Sequence, residues 1–88
     1  MRTSVYTFHL EVTDTFGGDA NYCWVKRYAV RARTARGAMR VLARHYGGYW
    51  NLDYDCGDLQ RYNMHRAAIC CFVSYPNEFD TSDRCALN

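Results

Sequence analysis

The chain has 88 residues, with 11 Lys and Arg against 9 Asp and Glu, and it is 49% hydrophobic and 16% aromatic. These values describe one small domain with a core of its own. They exclude a disordered, Pro-rich chain and a histone-like polycation.

Five cysteines (Cys23, Cys56, Cys70, Cys71, Cys85) are an odd number with no secretory leader pattern ahead of them, which points to free thiols in a reducing cytosol. Their spacings match no structural zinc motif, so neither a metal nor a cofactor is expected. The longest apolar run, residues 67–73, is far short of the ~20 needed to cross a bilayer, so no membrane partner is expected.

Residues 3–12 alternate, with Tyr6, Phe8, Leu10 and Val12 on one face, the pattern of a half-buried strand. Residues 13–21 contain Gly17-Gly18 with Asp14, Asp19 and Asn21, and predict a hairpin loop. Residues 22–32 alternate again, with Trp24 and Tyr28 on the face of Val30 and therefore read as core.

Thr34 is a suitable N-cap, and Ala35, Ala38, Met39, Leu42, Ala43 and Tyr46 recur at helical spacing until Gly47-Gly48 ends the pattern. Residues 49–66 are aperiodic and read as an ordered loop with a short strand near residues 59–62. Residues 67–75 are apolar and β-compatible, the pattern of a covered strand that Pro76 ends. The order predicts an α+β two-layer sandwich: an antiparallel three-stranded sheet (β-β-α-β, order 2-1-3) with one helix packed on one face. Residues 1–76 would form this single domain and residues 77–88 a polar tail.

Charge is distributed unevenly. Lys26, Arg27, Arg31, Arg33, Arg36, Arg40 and Arg44 fall within a stretch that contains no acid. Arg36, Arg40 and Arg44 repeat every fourth residue and so form one stripe along the helix, able to grip carboxylates or phosphates in bidentate fashion. Asp53, Asp55 and Asp58 form an acidic run beside the aromatics Tyr49 and Trp50, and Glu78, Asp80 and Asp83 form another. The first run departs from a calcium loop, which needs Gly at its sixth position and Glu at its twelfth, where this chain has Asp58 and Met64. It suits a surface for a basic partner. His9, His45 and His65 stand in no motif with a nucleophile, so an enzyme is not expected. The stripe is too charged for an apolar dimer seam, though self-association as a homo-oligomer is left open.

The run FGGDANYCWVKRY (residues 16–28), followed by the helix and by DYDCGDLQRYN (residues 53–63), resembles small uncharacterised proteins encoded by bacteriophages. The resemblance covers most of residues 5–75 and carries no site residue with it. It implies a phage protein that acts in the host cytoplasm by stoichiometric binding to a host protein or defence complex, as anti-CRISPR proteins do. The alternatives are a nucleic-acid or nucleotide binder with phosphates on the arginine-rich helix, and a virion assembly component. The binding residues expected on these grounds are Arg31, Arg33, Arg36, Arg40, Arg44, Tyr49, Trp50, Asp53, Asp55 and Asp58.

Overall fold

The computed structural model describes residues 5–16, 19–57, 59–74 and 84–88. In chain order they form β1 (Tyr6–Phe16), β2 (Asp19–Ala32), α1 (Ala35–Tyr46), β3 (Asn51–Asp55), β4 (Leu59–Met64), a single 3-10 turn (His65–Ala67), β5 (Ile69–Ser74) and β6 (Cys85–Ala86). The strands make one sheet in the order β3-β4-β5-β1-β2-β6. All neighbours are antiparallel except β2 and β6, which are parallel.

Register places the apolar alternation of the inner strands on one face. Leu10 lies opposite Tyr28 on one side and Val73 on the other, Val12 and Tyr62 flank Cys71, and Met64 faces Ile69. Against these rows α1 packs Ala38, Met39 and Leu42, and the methyl-sized Ala38 lets its backbone approach the sheet. Thr34 holds extended backbone and its Oγ1 accepts from the Gly37 N–H at 3.0 Å, relieving one unpaired donor of the first turn. At the other end Gly47 has φ 75° and donates to the Ala43 carbonyl at 2.6 Å. Only glycine adopts that backbone without strain.

The expected three-stranded antiparallel sheet is overturned: the sheet has six strands and is mixed. The physical reason is that two of the three added strands, β3 and β6, are held by backbone pairing and not by burial, while the third, β4, places only Tyr62 and Met64 in the core. Every residue of β3 is exposed, and a bulge between Leu52 and Tyr54 sets Leu52 opposite Tyr62 but Tyr54 opposite Arg61, which erases any period of two. Strand β6 has two exposed residues; the Asn88 side chain accepts from the Arg31 N–H and donates to the Arg31 carbonyl, both at 2.8 Å, and Leu87 packs against the core.

The hairpin is also longer than expected, since residues 13–16 and 19–21 belong to strands; Gly17 and Gly18 lie outside the described residues. Pairing jumps from Thr13 opposite Val25 to Thr15 opposite Ala20, so residues 21–24 bulge out against Asp14 alone. Asp14 Oδ1 accepts the Cys23 N–H at 2.9 Å, and the Thr13 hydroxyl donates to the Trp24 carbonyl at 2.8 Å. Within the bulge Tyr22 takes φ 57°, and its ring stacks on Phe72 at 6.3 Å, on the face away from the helix. Trp24, expected in the core, is 40% exposed because it lies in the bulge, where alternation no longer sets the face a side chain takes.

Candidate functional site

The two glycines that end α1 reverse the chain so that β3 returns along the helix flank. Gly48, at φ +80°, lies so close to Met64 that a Cβ there would sit 2.8 Å from its Cε. This close approach aligns the helix flank with the start of β3 and opens a groove of about 350 Å³ between them. Arg36, Met39, Arg40 and Ala43 line it from the helix; Tyr49, Trp50, Asn51 and Leu52 line it from the chain entering β3; Tyr62 contributes from β4.

Arg36 and Arg40 are exposed. Among the described residues the ion pairs are Arg27–Glu11 at 3.4 Å and Arg61–Asp53 at 3.5 Å, so neither groove arginine has a carboxylate partner there. The Arg36 guanidinium approaches the Tyr62 hydroxyl. Burial pushes the Tyr62 pKa up and Arg36 pulls it down by less, leaving it raised. Tyr62 Oη donates to Gln60 Oε1 at 2.8 Å, and Gln60 Nε2 donates to Asp55 Oδ2 at 2.9 Å. Asp55 also accepts from the Gly57 N–H at 2.8 Å, and these two bonds, the Gly57 one foremost, hold its carboxyl below the usual value.

The aromatic side of the groove is anchored from beneath. Trp50 meets Tyr46 edge-on at 5.9 Å, and the Tyr46 and Tyr28 hydroxyls share a hydrogen bond of 2.7 Å. The Trp50 indole N–H is buried without a hydrogen-bond partner among the described residues. Tyr49, next in line, is 77% exposed, and Leu52 and Tyr54 carry the exposed aromatic and apolar surface on along β3.

Four of the expected residues, Arg36, Arg40, Tyr49 and Trp50, therefore meet in one place, and the others do not. Arg44 lines a separate depression with Val41, His45 and Leu87. Arg31 alternates with the core residue Val30 and points to the other sheet face, while Arg33 is exposed in the turn before α1. Asp53 is engaged by Arg61 and Asp55 by Gln60 and Gly57; Asp58 lies outside the described residues, as do Glu78, Asp80 and Asp83. Asn51, Leu52 and Tyr62 were not anticipated. Three residues including Gly57, between the short runs NLDYD and LQRYNM, are a hairpin signal that would have brought Leu52 and Tyr62 together.

The chemistry such a groove offers is recognition: two uncompensated guanidiniums beside flat aromatic and aliphatic surface. The core thiols are not activated, since burial raises the pKa of both Cys70 and Cys71. Among the described residues no three His, Cys, Asp or Glu side chains gather as a metal site would require, and no helix is long and apolar enough to cross a membrane. Comparison with protein families, curated proteins and solved structures finds no match for this chain.

Proposed function

We propose that this chain is a non-enzymatic, phage-encoded binding protein that inhibits a host protein or defence complex stoichiometrically in the host cytoplasm, and that the α1–β3 groove is its working surface. The observation that carries the reading is the meeting of the exposed Arg36, Arg40, Tyr49 and Leu52 with the partly buried Trp50 in one groove. Arg, Tyr and Trp supply most binding energy at protein interfaces, because they bury large areas and make directional contacts at modest entropic cost. The resemblance of residues 16–28 and 53–63 to small phage proteins supplies the biological setting.

A second reading, binding of single-stranded nucleic acid or a nucleotide, is favoured by the same arginines lying beside the exposed Tyr49 ring. It is the weaker of the two. Only Arg36 and Arg40, of the seven basic residues between positions 26 and 44, reach the groove.

The test is affinity capture from bacterial lysate with and without nuclease, comparing the wild type with the triple variant Arg36→Ala, Arg40→Ala, Tyr49→Ala. The expected result is one host protein held near one-to-one after nuclease treatment and lost from the variant, since each interface anchor contributes about 2 kcal/mol, or ~30-fold in affinity. Capture that disappears with nuclease supports the second reading, and equal capture by the variant refutes the surface.

A further inference from the structure

Building on the protein-binding reading above, we infer that the groove takes an extended acidic segment of the partner, with two carboxylates one residue apart on Arg36 and Arg40 and an apolar side chain between them against Tyr49 and Leu52.

Charge gives the sign of the ligand. Arg36 and Arg40 have no carboxylate partner among the described residues, and the acids nearest in sequence on β3 are already engaged, Asp53 by Arg61 and Asp55 by Gly57 and Gln60. Like charges four residues apart on a helix repel, so an incoming pair of anions gains from both the contact and the relief of that repulsion.

Spacing gives the conformation. Four residues of α-helix advance about 6 Å, while same-face side chains of an extended chain recur every ~6.7 Å. Alternate residues of an extended segment lying along the groove therefore match the arginines. The residue between them points the other way, toward the exposed Tyr49 and Leu52.

A polynucleotide fits less well, because single-strand binding relies on a basic track over several nucleotides. Here the track stops after two arginines, since Arg44 sits in the other depression.

The experiment titrates the ¹⁵N-labelled full chain with an N-acetylated, C-amidated Glu-Leu-Glu peptide, with its Gln-Leu-Gln counterpart, and with adenosine monophosphate and oligothymidylate. The expected result is saturable shifting of the Gly48 and Tyr49 amides and the Trp50 indole N–H by the acidic peptide. Binding should be at least about tenfold weaker for the Gln peptide and for the variant Arg36→Gln, Arg40→Gln, whose well-dispersed spectrum shows it folded. Equal binding of the two peptides, no shift at these three groups, or tighter binding of either nucleotide probe overturns the inference. Lysate capture separates this failure from that of the underlying reading. A host protein retained by the Arg36→Gln, Arg40→Gln variant but lost with Tyr49→Ala overturns the acidic segment alone, whereas a protein retained by both variants overturns the groove as the binding surface as well.

Discussion

Replacing Leu42 by alanine tests how the helix that carries the groove arginines is held. Leu42 is fully buried, and with Ala38 and Met39 it completes the set of buried residues that α1 presents to the sheet. Of the three only Met39 and Leu42 are large, so Leu42→Ala removes one of two substantial anchors. A buried Leu→Ala change costs about 2–5 kcal/mol, the upper part of the range applying where the site cannot collapse. Here the sheet beneath is braced by antiparallel pairing on both sides of β1, so collapse is limited and a loss of about 3 kcal/mol is expected. Against the roughly 4–13 kcal/mol typical of a chain this long, that is a large fraction of the total. It corresponds to a fall in Tm of about 12–24 °C. Urea unfolding followed by far-ultraviolet circular dichroism measures it directly. A loss below about 1 kcal/mol at unchanged m-value would show that Leu42 does not anchor the helix.

Three further outcomes follow from local features. Thr34→Ala removes the acceptor of the Gly37 N–H and should cost about 1 kcal/mol, while Thr34→Asn, which restores an acceptor, should recover most of it in the same urea assay. Asp14→Ala should speed hydrogen exchange of the Cys23 amide, because that N–H donates to the Asp14 carboxylate; unchanged exchange would mean the bulge holds without it. Alkali should destabilise the fold. Burial first, then the Tyr28 hydroxyl, raises the Tyr46 pKa above its ordinary 10.0, and burial raises Cys70 and Cys71 above 9.0. In each case the folded state keeps a proton that the unfolded state releases, so this contribution is complete below pH 9 and declines as pH rises beyond it. Urea midpoints that stay level from pH 8 to 11 would contradict this, and Tyr46→Phe should flatten the decline above pH 10.

Parts of the molecule were legible because their determinants are local or periodic. The cap at Thr34, the stripe of Ala38, Met39 and Leu42, and the stop at Gly47 are contained within fourteen consecutive positions, and α1 runs from Ala35 to Tyr46 between them. Phe8, Leu10 and Val12 alternate into the core as expected. Trp24 departs from the alternation because residues 21–24 stand opposite Asp14 alone, and across such a bulge parity no longer predicts which face a side chain takes. Of the expected binding residues, the helix spacing was enough to place Arg36 and Arg40 side by side. Nothing local placed Tyr49 and Trp50 next to them, because that contact depends on where β3 returns.

The sequence by itself determined the helix, its ends, the apolar rows of β1 and β5, and the unequal distribution of charge, since each depends on residues within a few positions of one another. The tertiary structure alone decided that the sheet has six strands, that β3 and β6 join it while exposed, and that two arginines of the stripe share a groove with Tyr49 and Trp50 while the third, Arg44, faces elsewhere. Edge strands are recruited by backbone hydrogen bonds, which every residue type can make, so they leave little trace in side-chain pattern. The groove is a consequence of that recruitment. It exists because β3 pairs with β4 across a register that brings Leu52 opposite Tyr62, beneath the flank of a helix whose own position the core had already set.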